Sequence, residues 1–156
     1  MTDLYRTELM IAAPPGRVFA YLIDPDLLTA WLGLSARLDP VAGGEFRFEI
    51  APGEWCSGSY LEVSAPKRVV FTWGWESGRI AVPPGSTTVE IDLHPEGDGT
   101  RLVLVHSGLA GDAWSLHADG WPRFLQRLGR VVLGHDPGAD PASETPEDAI
   151  ERLGRR

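Results

Sequence analysis

The sequence predicts an α+β fold: a curved antiparallel sheet of about six to seven strands wrapped around one long C-terminal helix, with two short helices after the first strand. Three observations predict it. Residues 112–134, DAWSLHADGWPRFLQRLGRVVLG, place apolar side chains at helical spacing. Residues 35–107 alternate apolar and polar at a period of two. Short turns rich in glycine and proline separate the alternating runs, which suits an antiparallel meander.

Residues 4–12 read as the first strand, with Tyr5, Thr7, Leu9 and Ile11 facing one way and Arg6, Glu8 and Met10 the other. It needs a neighbour at a sheet edge, either the last strand or the second. Ala13-Pro14-Pro15-Gly16 ends it, and a helix over 14–23 buries Val18, Phe19 and Leu22. Asp24-Pro25 breaks that helix and opens a second over 25–32. There Asp24 caps the free N–H groups and Pro25 fills the first helical position.

Strands follow at about 35–40, 43–50, 54–64, 68–76, 87–94 and 100–107. Alternation turns Phe46, Phe48 and Ile50 inward, then Leu61 and Val63, then Val69, Phe71, Trp73 and Trp75. Val89, Ile91 and Leu93 continue that face, as do Leu102, Leu104 and His106. The opposite face carries Glu45, Arg47, Glu49, Glu62, Glu90, Asp92 and Arg101, with Val70, Val103 and Val105 as exposed exceptions. The long helix presents Trp114, His117, Trp121, Phe124, Leu125, Leu128, Val131 and Val132 as one stripe, and so is the element able to cover the sheet. Asp112 is placed to cap its start and Gly134 to close its end. Pro122 either restarts the helix or kinks it, and the continuous stripe favours one kinked helix.

Size and composition suit one soluble domain, residues 1–134, followed by a tail over 135–156 in which Thr145 can start a short helix bearing Ala149, Ile150 and Leu153. The single cysteine, Cys56, allows no internal disulfide and fits a cytoplasmic location. Met1 is followed by polar residues, so no secretory leader is expected, and no apolar run reaches the ~18 residues of a membrane span. A net charge of −8 argues against nucleic acid as a partner. Six tryptophans in 156 residues call for broad aromatic walls, in a core or around a ligand.

Several stretches carry a family resemblance: Ile23-Asp24-Pro25 with Trp31-Leu32, Gly43-Gly44-Glu45-Phe46, and 58–63, GSYLEV. Others are 66–73, PKRVVFTW, Gly99-Thr100-Arg101-Leu102 through His106-Ser107-Gly108-Leu109, and Gly120-Trp121 with Leu125 and Leu128. Over residues 6–133 the chain resembles bacterial proteins similar to the C-terminal domain of the activator of heat-shock protein 90 ATPase. These belong to the START-like (SRPBCC) superfamily. The resemblance implies a helix-grip fold with a cavity between sheet and helix, which the superfamily uses for lipids, sterols, polyketides and hormones. Some members cyclise polyketides or form subunits of aromatic dioxygenases. The family name points to a co-chaperone activity. Fold alone does not choose among these.

The ligand-binding candidates are Trp31, Phe46, Phe48, Trp55, Phe71 and Trp73, together with Trp75, Trp114, Trp121 and Leu125. A filled core uses the same residue types, and the tryptophan N–H groups, each needing a partner, tilt the reading toward a cavity. His106 on the inner face and His117 on the helix stripe could face each other across it. Either could orient a ligand or move a proton, while the plain alternative for His106 is a hydrogen bond to a loop carbonyl. His94, His106, His117 and His135 lack metal-ligand spacing, no serine sits in a nucleophile motif, and the turn glycines lack the strand-to-helix setting of a phosphate loop. No cofactor, no metal and no membrane insertion are expected.

These readings point to a binding protein for an apolar or amphipathic molecule. An interaction module acting on a chaperone partner, and a cyclase or hydrolase using the same cavity, are the alternatives. A homodimer is compatible with all three.

Overall fold

A computed structural model of the chain describes residues 3–143. The expected helix start at Thr145, with Ala149, Ile150 and Leu153, lies outside the described residues. The elements run β1 (Asp3–Ile11), α1 (Pro15–Ile23), α2 (Pro25–Leu28), β2 (Ser35–Leu38), β3 (Glu45–Ala51) and β4 (Glu54–Ser64). Then come β5 (Arg68–Trp73), β6 (Thr87–Glu96), β7 (Gly99–Leu109), α3 (Gly111–Val132) and a single 3-10 turn, Pro141–Ser143.

The strands form one seven-stranded antiparallel sheet in the order β1-β7-β6-β5-β4-β3-β2. It is a meander from β2 to β7, and β1 closes onto the last strand, with Thr7 opposite Leu104. The helix-grip architecture is therefore present: α3 lies against the inner face, where Trp121, Leu125, Leu128 and Val132 enter the same buried cluster as β3, β5, β6 and β7. Trp73 and Trp121 meet with ring centroids 5.1 Å apart.

Local chemistry explains most boundaries. Asp24 caps α2 by accepting from the N–H groups of Asp26 and Leu27 at 2.9 and 3.2 Å. α2 is shorter than expected, because after Leu28 the chain tightens into three-residue bonds such as Trp31 N–H to the Leu28 carbonyl. α3 runs through Pro122 as one helix. Gly134, at φ +81°, lets the Gly134 and His135 N–H groups turn back onto the carbonyls of Val131 and Arg130, a Schellman closure. The start differs from expectation: Ala110 occupies the cap position with no side-chain bond, and Asp112 lies inside the first turn. Its charge suits the helix N-terminus without capping it.

Two further expectations are corrected. In β4 the register slips between Tyr60 and Glu62, so Leu61 is an extra residue. It stands 53% exposed, while Cys56 and Tyr60 are fully buried and Val63 packs against the core. Val70 and Val103 are buried although they sit on the outer face. Val70 is flanked in register by Glu62 and Glu90, and Arg68 bonds Glu62, Glu90 and Asp92, so its aliphatic stem and those of its partners cover the small side chain.

Among the described residues no helix is long and apolar enough to cross a membrane. Nor do three His, Cys, Asp or Glu side chains converge as a metal would require among them.

Candidate functional site

The aromatic residues divide into two groups along the sheet. Phe46, Phe48, Tyr60 and Phe71 form a filled core. Phe46 stacks on Phe71 at 3.9 Å between centroids, and the Tyr60 ring meets Phe46 edge-on at 5.6 Å. The Tyr60 hydroxyl donates to the Leu22 carbonyl at 3.2 Å, tying α1 to the sheet, and burial pushes its pKa well up. Trp31 is just as buried, its Nε1 donating to the Tyr21 carbonyl at 3.1 Å, and Leu125 is a core residue of α3.

Beyond Phe48 the interior opens into a pocket of about 490 Å3. Trp73 at the end of β5, Trp75 just after it, and His117 and Trp121 on α3 form its inner wall. Ile50 of β3, Ile80 of the 74–86 loop, Leu32 and Phe124 add apolar surface. Pro141 and Ala142 of the 3-10 turn close one side, and Leu116, 52% exposed, stands at the opening with the Asp119–Arg123 ion pair. The volume falls within the ~300–1,000 Å3 range of small-molecule sites. The 74–86 loop can lie this close because Gly74 has no side chain: a Cβ there would be 1.8 Å from the Pro83 carbonyl oxygen.

The polar atoms of the inner wall are tied to one another. Trp73 Nε1 and Trp75 Nε1 both donate to His117 Nε2, at 3.1 and 3.2 Å. An indole N–H can only donate, so Nε2 is the bare nitrogen of that ring and Nδ1 carries the proton. Nδ1 lies 2.7 Å from the Ala113 carbonyl, one helical turn back, and donates to it. His106 has the opposite tautomer: Trp121 Nε1 donates to Nδ1 at 3.0 Å, and Nε2–H faces the Thr87 hydroxyl at 2.9 Å. That hydroxyl in turn donates to the Trp73 carbonyl at 2.8 Å. The two imidazoles meet edge-to-face at 5.2 Å. Burial lowers the His106 pKa to about 3, with the neighbouring His117 adding to the effect. Burial also lowers the His117 pKa, partly opposed by the Ala113 carbonyl. Both rings are neutral at ordinary pH, and the one acceptor nitrogen of each is occupied.

The structure thus brings Trp73, Trp75, His117 and Trp121 together at the pocket, with His106 directly behind them. Trp31, Phe46, Phe48, Phe71 and Leu125 belong to the packed interior. Trp55 is a correction: Cys56 takes the inner position, and Trp55 lies on the outer face with the Arg47 guanidinium 4.0 Å from its ring centroid. Trp114 stands apart as well, edge-on to Tyr5 at 5.9 Å with its Nε1 3.4 Å from the Leu4 carbonyl. The tryptophan N–H groups of the inner wall do not await a ligand, since the histidines satisfy them. Ile50, Ile80, Leu116, Phe124, Pro141 and Ala142 were not singled out as site residues. Leu116 and Phe124 carried a usable signal, large apolar residues within the helix; the loop and tail residues carried none.

A second cavity, about 470 Å3 between Pro15, Pro66, Lys67 and His94, collects none of the candidates.

Residues 12–132 match the family model described as Activator of Hsp90 ATPase homolog 1-like protein. The chain belongs to that family. Among solved structures, an AHSA1-like protein from Rhizobium etli is 39% identical, with a TM-score of 0.72 over 90% of this chain and 88% of that one. A Mesorhizobium loti protein is 26% identical, with a TM-score of 0.75 over 85% of this chain and 97% of the other. An HSP90 activator from Plasmodium falciparum, 22% identical, shares the fold with a TM-score of 0.68 over 84% and 96% of the two chains. A comparison with curated proteins returned no match.

Proposed function

We propose that this protein is a cytoplasmic binder of a small apolar or amphipathic molecule, lipid-like or aromatic polyketide-like, held between the end of the sheet and α3. The observation that carries this reading is the pocket of about 490 Å3 whose walls are mostly indole, phenyl and aliphatic surface, with Ser115, His117, Asp119 and Arg123 as the polar side chains of its lining. Binding rather than catalysis is supported by the histidines. Each has its single acceptor nitrogen engaged by an indole N–H, so neither is poised to take a proton from a substrate. In this reading residues 1–134 form the binding domain and the segment after them supplies one wall.

A ligand that binds only the native state raises its melting temperature. A neutral polycyclic aromatic probe at a hundred times its Kd is expected to add about 2.7 kcal/mol of apparent stability. That is a Tm rise of roughly 5–10 °C in a chain of this size. An unchanged Tm across apolar aromatics, sterols and fatty acids would contradict the reading.

Family membership supports a second reading, stimulation of a chaperone ATPase. It predicts faster ATP hydrolysis by a bacterial Hsp90 on addition of this protein, and unaltered turnover would remove it.

A further inference from the structure

The pocket is lined by three indoles whose donors are withdrawn from it, that of Trp121 being taken by His106. A tryptophan in a ligand site commonly offers its N–H to a carbonyl or hydroxyl of the ligand. Here Trp73 and Trp75 direct theirs at one atom, His117 Nε2. The ring cannot turn that nitrogen elsewhere without giving up the 2.7 Å bond from Nδ1 to the Ala113 carbonyl. We infer that His117 sets the ligand specificity of the pocket by masking these two donors, so that the buried part of the ligand is a bare, uncharged hydrocarbon or aromatic skeleton. This rests on the pocket being a small-molecule site. A carbonyl or hydroxyl carried onto the Trp73–Trp75 wall would leave water and find no partner there, and an unpaired buried polar group is strongly disfavoured. Polar groups are tolerated only at the opening, where Asp119 and Arg123 are partly exposed.

The test uses fluorene and 9-fluorenone, which share one three-ring skeleton and differ by a single carbonyl. The full-length protein is titrated with each. Wild type is expected to prefer fluorene by more than the difference in octanol–water partition provides. His117→Phe removes the acceptor and bares two indole N–H groups, so the preference should move toward fluorenone by about tenfold, the value of one recovered hydrogen bond. His117→Gln restores a carbonyl acceptor and should return the ratio toward wild type. In 1H–15N spectra the Trp73 and Trp75 indole signals should move upfield in His117→Phe while the Trp121 signal, held by His106, stays in place. A wild-type preference for fluorenone overturns the inference even if His117→Phe fails to fold. So does an unchanged ratio in a folded His117→Phe whose indole signals have moved. Binding of neither compound to wild type defeats the pocket reading itself, and this inference with it.

Discussion

At the residue scale the histidine–tryptophan bonds have a pH signature. In the unfolded chain a histidine titrates near 6.5, whereas His106 and His117 are held below that value in the fold. As pH falls below about 6.5 the unfolded state takes up protons that the native rings refuse, so stability is lost. The loss approaches ~1.4 kcal/mol per pH unit for His106 and continues to about pH 3, and His117 adds to it in the same direction. Above pH 6.5 these rings contribute no pH dependence. Glu8 and Glu76, lowered by their arginine partners, and Glu62, lowered by its bonds with Ser64 and Arg68, act below the ordinary carboxylate range. Urea titrations between pH 6.5 and 5 therefore isolate the histidines. His117→Gln should reduce the slope of stability against pH, and an unaltered slope would show that His117 is not buried neutral. The inward placement of both rings was legible from spacing. Their tautomers were not, because they depend on indoles contributed by β5 and the segment just after it, and by α3, whose meeting no local pattern records.

At the element scale two glycines give opposite predictions. Gly58 in β4 faces the β5 backbone, and a Cβ there would be 2.0 Å from the Thr72 carbonyl oxygen. Gly58→Ala must separate the strands and should cost more than about 2 kcal/mol, lowering Tm by roughly 4–8 °C. A change within 1 °C would show that the strands are not so close. Gly120 in the middle of α3 has nothing within 4 Å of an added Cβ. Gly120→Ala should therefore gain about 0.5–1 kcal/mol of helix preference, read as a Tm rise of 1–4 °C. A fall in Tm would mean that the site is occupied by protein. The strands were legible because alternation survives in six of them, β3 and β6 most clearly. Alternation misplaced Leu61 because a period of two has no way to register one inserted residue. The closing glycine of α3 was legible from its position after the apolar stripe; its start was not, since no capping side chain marks it.

At the scale of the whole molecule, the same inner face does two things. Toward Phe46 and Phe71 it is packed solid, and toward Trp73 and Trp75 it is held open by a loop and a 3-10 turn. Sequence periodicity reached the sheet and the helix, and so the fold. It could not separate core from cavity, because that boundary is drawn by Ile80, Pro141 and Ala142, in segments without a repeat. The central claim is that this space is a binding site. Gly120 lines it with room for a side chain, so Gly120→Leu should fill it without disturbing the fold. The most direct measurement is a fluorescence titration of both proteins with fluorene, following quenching of the pocket tryptophans. The account predicts saturable binding at one equivalent in wild type and at least tenfold weaker binding in Gly120→Leu. Equal binding by the two proteins would contradict it.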